Sequence, residues 1–202
     1  MKYLLSLMMM LSLASCGGFK AERVDSAKSD EKALEITDEW VAGDTERVIA
    51  EVVEKLQKHR GFKRYLRSIG GKAPALFVGQ VQNLTSNAYF PINDLNDEFL
   101  NILSETGDFT LVDAAARDAL LKEITYQNDG MVDPNSAKMV GKQTGADLIV
   151  FGNVYMKPQT RKGKTIKQYS INIRLTDIER GVEVARTRAK VSKYSQQSSS
   201  GW

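Results

Sequence analysis

Apolar residues recur along the chain with two periods, and the switch between them marks the elements. Val48, Ile49, Val52, Val53 and Leu56 fall at helical spacing behind Asp44, which predicts a helix capped by that aspartate. Gly61 interrupts, and Phe62, Tyr65, Leu66 and Ile69 give a second, shorter stripe that Gly70-Gly71 stops. Residues 75–82 (ALFVGQVQ) are a nearly continuous apolar run, the pattern of a buried strand. Asp94 precedes a helical stripe of Leu95, Phe99, Ile102 and Leu103 that Gly107 ends, and residues 109–112 form a short strand. Asp113 caps a predicted helix over 114–126, and Asp133-Pro134 opens another that ends at Gly145.

The remaining positions follow a period of two. Residues 147–155 (DLIVFGNVY) are apolar on both faces and predict a central strand. A basic loop is expected over 157–164, carrying Arg161, Lys162 and Lys164. In 165–177, Tyr169, Ile171, Ile173 and Leu175 face one side and Gln168, Ser170, Asn172 and Arg174 the other. Glu179-Arg180-Gly181 turns the chain. Residues 182–194 then set Ala185, Thr187, Ala189 and Val191 against Arg186, Arg188 and Lys190. The order α-α-β-α-β-α-α-β-β-β predicts an α/β (α+β) fold, a two-layer sandwich whose mixed, mainly antiparallel sheet is flanked by helices.

The ends follow different rules. Met1-Lys2-Tyr3, an apolar run over 4–13 and small residues before Cys16 have the form of an export signal. Ten apolar residues are too few to cross a hydrocarbon layer about 30 Å thick. Leu13-Ala14-Ser15-Cys16 matches a bacterial lipobox, so residues 1–15 are read as a lipoprotein signal peptide and Cys16 as the acylated first residue of the mature chain. Acyl chains contribute about 0.8 kcal/mol per buried CH₂, enough for two or more to anchor a protein stably. Gly17 stands where an inner-membrane retention signal has Asp, which points to the outer membrane, periplasmic side. Residues 16–33 read as a lipidated N-terminus and flexible linker, 34–194 as one globular domain and 195–202 (SQQSSSGW) as a polar tail.

Composition then narrows the function. One Cys and one His in 202 residues make no disulfide, CxxC pair or His-rich metal cluster. No GxSxG, P-loop or GxGxxG motif is present, and Gly141–Gly145 has phosphate-loop letters in the wrong order. His59 lies between Lys58 and Arg60 and reads as a solvated surface residue, and Trp40 as an edge plug with sugar stacking as the alternative. No enzyme, cofactor or metal site is therefore expected. The net charge of +3 conceals an asymmetry. Residues 73–156 hold 4 basic and 11 acidic side chains, whereas 157–202 hold 11 basic and 3 acidic. Arg174, Arg186, Arg188 and Lys190 share one strand face. They form, with Arg161, Lys162 and Lys164, either a solvated surface or an electrostatic docking site. Outside the cytoplasm the expected partner is a protein or wall polymer, not nucleic acid.

Four stretches carry a family resemblance: Trp40 with Asp44-Thr45, residues 62–81 (FKRYLRSIGGKAPALFVGQV), 132–153 (VDPNSAKMVGKQTGADLIVFGN) and 169–184 (YSINIRLTDIERGVEV). Over about residues 36–194 the chain resembles the LpoB family of lipoprotein activators of penicillin-binding proteins. The GADxxxxG junction is shared with curli-secretion and TolB-like relatives, which implies a fold like the TolB N-terminal domain. The resemblance implies a monomeric, non-enzymatic regulator that docks on a class A, bifunctional penicillin-binding protein and raises its activity. It departs at the linker, which is short where the best-known member has a long, proline-rich one. The alternatives are an envelope lipoprotein accessory to secretion or surface-structure assembly, and a binder or enzyme acting on the wall itself.

Overall fold

The computed structural model describes residues 24–112 and 145–196. The expectations for the signal peptide, for Cys16, for the helices over 114–126 and 133–144, and for 197–202 lie outside the described residues.

The chain enters as α1 (Ser26–Ile36), where the sequence pattern reads as linker up to 33. No apolar stripe announces this helix, but its Ala, Lys, Glu and Leu residues are good helix formers. Asp30 ties it down by accepting the Gly43 N–H at 3.2 Å. Residues 26–33 are therefore helical where the sequence pattern reads as linker.

Helix α2 (Ala42–Lys58) buries Val48, Ile49, Val52, Val53 and Leu56, the stripe predicted for it. Its start corrects the sequence reading. Val41 is the N-cap, and Asp44 sits a turn inside, its carboxylate accepting the Val41 N–H at 3.1 Å. His59 then caps α3 (Arg60–Ser68), its Nδ1 accepting the Gly61 N–H, so it joins two helices. Strand β1 (Ala75–Asn83) follows. Helix α4 (Ile92–Glu105) again starts earlier than expected: Asp94 lies in its first turn, complementing the helix dipole, and Pro91 holds the cap position. The short strand β2 is Thr110–Leu111.

Strands β3 (Leu148–Arg161), β4 (Lys164–Asp177) and β5 (Val182–Gln196) complete a sheet of order β2-β1-β3-β4-β5. β1 runs parallel to β2 and β3, while β3, β4 and β5 are successively antiparallel. Helix α2 lies over β5 and touches α4, which lies over β1. Between the layers, the sheet's inner face contributes Val150, Val154, Tyr169, Ile171, Ile173, Leu175, Ala185 and Ala189, all buried as the alternation predicts. Trp40 plugs one end: its rings stand 5.1 Å from Phe90 and 5.0 Å from Tyr169, and Nε1–H donates to Thr45 Oγ1 at 2.8 Å. A smaller cluster of Phe77, Ala146, Ile149 and Ile178 occupies one end of the outer face.

The expected basic loop is a hairpin. β3 continues to Arg161, pairs with Lys164, and turns through Lys162 (φ 49) and Gly163 (φ 72), a two-residue turn of left-handed residues. β5 likewise runs through Ser195 and Gln196, which the sequence places in the tail. β1 stops at Asn83 opposite Val154, so beyond that point β3, β4 and β5 project as a three-stranded arm. Pro158 in β3 argues against a strand from sequence, yet it lies on the arm's edge, where no ladder partner needs its missing N–H.

Candidate partner-docking face

The register of β3, β4 and β5 builds the outer face row by row. Phe151, Arg174 and Arg186 lie side by side. Asn153, Asn172 and Arg188 form the next row, then Tyr155, Ser170 and Lys190. The structure thus brings together four of the predicted residues: Arg174, Arg186, Arg188 and Lys190. It does not bring Arg161, Lys162 or Lys164 to them. Those three stand at the hairpin tip, ten strand positions from Arg174, or about 33 Å away along β4.

Adjacent arginines repel unless each has somewhere to place its charge. Here each has a different solution. Arg174 lies over the Phe151 ring, its Cζ 4.5 Å from the centroid, a cation–π contact. Arg186 forks onto Glu183, with Nε 2.9 Å from Oε1 and Nη2 2.5 Å from Oε2. Those hydrogen bonds hold the Glu183 carboxyl below its ordinary value of 4.5. Arg188 Nε donates to Asn172 Oδ1 at 2.6 Å, and Asn172 Nδ2 donates on to Asn153 Oδ1 at 3.1 Å. This polar chain crosses three strands and ties Arg188 to Asn172. Of the three arginines, only Arg186 carries a carboxylate partner among the described residues. A shallow depression of about 690 Å³ lies over Asn153, Tyr155, Asn172, Arg174 and Arg188.

The sequence reading missed the apolar part of this face. Tyr155 is 47% exposed, and further along Ile166 and Tyr194, paired across β4 and β5, are 43% and 57% exposed. The signal was present in the alternation, since Ile166 and Tyr194 share the phase of Arg174 and Arg188. A face of fixed arginines with intervening aromatic residues has the composition of a protein interface, where Tyr and Arg dominate the binding energy.

The inner face of the arm is polar and bound to the N-terminal segment. Lys167 reaches Asp38 at 2.9 Å and also Glu39, while Ser195 Oγ donates to Asp38 at 2.6 Å. Asp38 is held below its ordinary value of 3.8 by the Ser195 hydroxyl and then by Lys167. Burial opposes the Lys167 charge, but Glu39 and Asp38 outweigh it and keep the ammonium above its usual range. The Tyr169 phenol is pushed up to about 12, first by burial and then by Glu39. Deeper in, Lys193 and Asp44 form a buried ion pair at 2.5 Å. Among the described residues, no group of three or more His, Cys, Asp or Glu side chains is placed to hold a metal, and no helix is long and apolar enough to cross a membrane.

Comparison with known proteins locates this architecture. The model of a family described as peptidoglycan-synthase activator LpoB matches residues 44–190. The chain is similar to the LpoB C-terminal domain from Salmonella enterica, at 17% identity and a TM-score of 0.50 over 76% of this chain and 99% of that one. It is similar also to the domain from Escherichia coli, at 16% identity and a TM-score of 0.51 over 74% and 99%. No curated protein sequence matches it.

Proposed function

Because this chain belongs to the LpoB family of peptidoglycan-synthase activators, we propose that it binds a class A, bifunctional penicillin-binding protein and activates it without catalysing a reaction itself. The observation that carries the reading is the extent of the family match, which runs from α2 to β5 and so takes in both layers of the sandwich. The match to two C-terminal domains, each covered to 99% of its length, supports the same fold for this chain.

The physical task is allosteric. A protein with no chemistry of its own raises a rate only by binding the active conformation of the synthase more tightly than the resting one. A tenfold shift in that equilibrium needs about 1.4 kcal/mol of differential binding. We place this binding on the outer face around Arg174, Arg186, Arg188 and Lys190, with Tyr155 as an apolar anchor. We also propose that Cys16 carries the lipid and holds a monomeric domain at the periplasmic side of the outer membrane. The nine residues between Cys16 and α1 keep it near that membrane, so the synthase's docking domain has to approach closely.

The test is glycan polymerisation and peptide cross-linking by purified synthases with and without the purified chain. A several-fold faster rate with direct binding is expected; neither binding nor acceleration overturns the reading. The triple variant Arg174→Glu/Arg186→Glu/Arg188→Glu separates the face from the fold. It should weaken binding at least tenfold and remove most of its salt dependence. Unchanged affinity would reassign the face to solvent.

A further inference from the structure

Among the described residues the arm has two edges that pair with no further strand, and only one of them is closed to such pairing. Leu84 N–H donates to Val154 O, so in β3 the main-chain groups of the even-numbered residues point away from β4. Antiparallel pairing alternates, which passes this phase across the sheet: in β4 the odd-numbered residues bond β5, and in β5 the even-numbered residues face outward. A second contact fixes the same phase independently. Lys55 Nζ donates to Arg188 O at 2.7 Å from beyond the sheet's edge.

On the β3 side, the outward positions past the end of β1 are Met156, Pro158 and Thr160, and Pro158 at their centre has no N–H to offer. A strand added there would lose its middle hydrogen bond. On the β5 side, the first half is covered. The start of α3 lies so close that a Cβ on Gly61 would stand 2.0 Å from Val184 O, and Lys55 caps Arg188. Among the described residues, this cover ends past Arg188. The outward N–H and C=O groups of Lys190, Ser192 and Tyr194 have no partner among the described residues. No proline interrupts them, and the backbone is already straight and paired to β4 on its other side. Such an edge adds a strand readily unless charge prevents it.

The charge selects the occupant. Residues 157–202 hold 11 basic and 3 acidic side chains, and Lys190 stands at the open edge beside Arg188. A second copy laid edge to edge would set lysine and arginine against themselves. An extended segment bearing Glu or Asp at alternate positions would pair with them instead, while a β-branched or aromatic neighbour would pack on Tyr194. We infer that residues 190–196 of β5 are a strand-addition site for an acidic, extended segment of another protein. Main-chain hydrogen bonds would supply the affinity and Lys190 the charge selection. This goes beyond the synthase reading, since it specifies the chemistry of the segment whichever protein supplies it.

The experiment uses hydrogen exchange of the full, lipid-modified chain in detergent. Two probe peptides are compared, acetyl-EVTVEVTVE-amide and the same peptide with Lys for Glu. At millimolar acidic peptide, amides of Lys190, Ser192 and Tyr194 should exchange at least tenfold more slowly, while the Lys peptide leaves them unchanged. Ser192→Pro, which removes an outward N–H without touching the ladder to β4, should abolish that protection; Ser192→Ala should keep it. Melting of Ser192→Pro within a few degrees of the parent shows that the fold survives. Unaltered exchange at 190–196, equal protection by the Lys peptide, or protection that grows with protein concentration alone would each overturn the proposal, the last by assigning the edge to a second copy. If a synthase binds Ser192→Pro as tightly as the parent, the edge is not its docking site, whereas loss of activation with the edge intact counts only against the synthase reading.

Discussion

The ion pair between Lys193 and Asp44 is the most exacting test of the packing. The two side chains are 6% and 1% exposed and meet at 2.5 Å. Asp44 also accepts from Val41 N–H at 3.1 Å and from Arg47 Nη2 at 2.6 Å. In Asp44→Ala the ammonium stays beneath α2 with no counter-ion. Breaking a buried pair from one side costs about 3–5 kcal/mol, and losing the bond to Val41 adds about 1 kcal/mol. At about 2–4 °C per kcal/mol for a domain of this size, melting should fall by roughly 8–24 °C. Lys193→Met is the contrast. Its aspartate keeps Arg47 and Val41, and methionine fills the lysine's volume, so the loss should stay below about 2 kcal/mol. The double variant leaves no lone cation and should recover about 2–3 kcal/mol relative to the sum of the singles. Urea titrations followed by circular dichroism measure all three. An Asp44→Ala loss under about 1 kcal/mol, or a double variant whose losses simply add, would refute the reasoning.

Three further outcomes follow from other sites. A Cβ at Gly152 would stand 2.3 Å from Asn172 O, a backbone atom that cannot move without shifting β4, so Gly152→Ala should cost about 1–3 kcal/mol in the same titration. The Asp38 carboxyl, depressed in the folded state, adds stability above its unfolded value near 3.8 and loses it as pH falls through the lower folded value. Stability should therefore drop as pH falls below about 4, less steeply in Ser195→Ala, and matching pH profiles would count against the clamp. Cys16→Ser should move the protein from the membrane pellet to the soluble envelope fraction. Retention in the pellet would remove the lipid anchor.

Legibility in the sequence followed the source of each constraint. The helix stripe from Val48 to Leu56 and the alternation from Tyr169 to Leu175 were readable because burial on one face writes a period into the chain. Helix α1 and the far half of β3 were not, because neither is held by an apolar stripe. α1 relies on the Asp30 contact to Gly43, and residues 156–161 on main-chain pairing to β4. Asp44 and Asp94 were placed at caps because an aspartate before an apolar run suits N-cap and N3 equally. Only the dihedrals of Val41 and Pro91 separate the two. At the candidate face, the shared phase of Arg174, Arg186, Arg188 and Lys190 was legible. Their partners were not: Phe151 under Arg174 and Asn172 beside Arg188 depend on register, which a pattern of letters does not fix.

The junction of Asp38 with Lys167 and Ser195 sets a path for mechanical tension. A pull arriving from the N-terminal side of Asp38 meets two anchorages, Asp30 on Gly43 of α2 and then Asp38 on the arm. The second passes it into the middle and outermost strands of the arm. The strands that receive it are the ones that carry the arginine rows on their opposite surface. Strain on the N-terminal segment and the grip of any bound neighbour would thus bear on the same three-stranded plate.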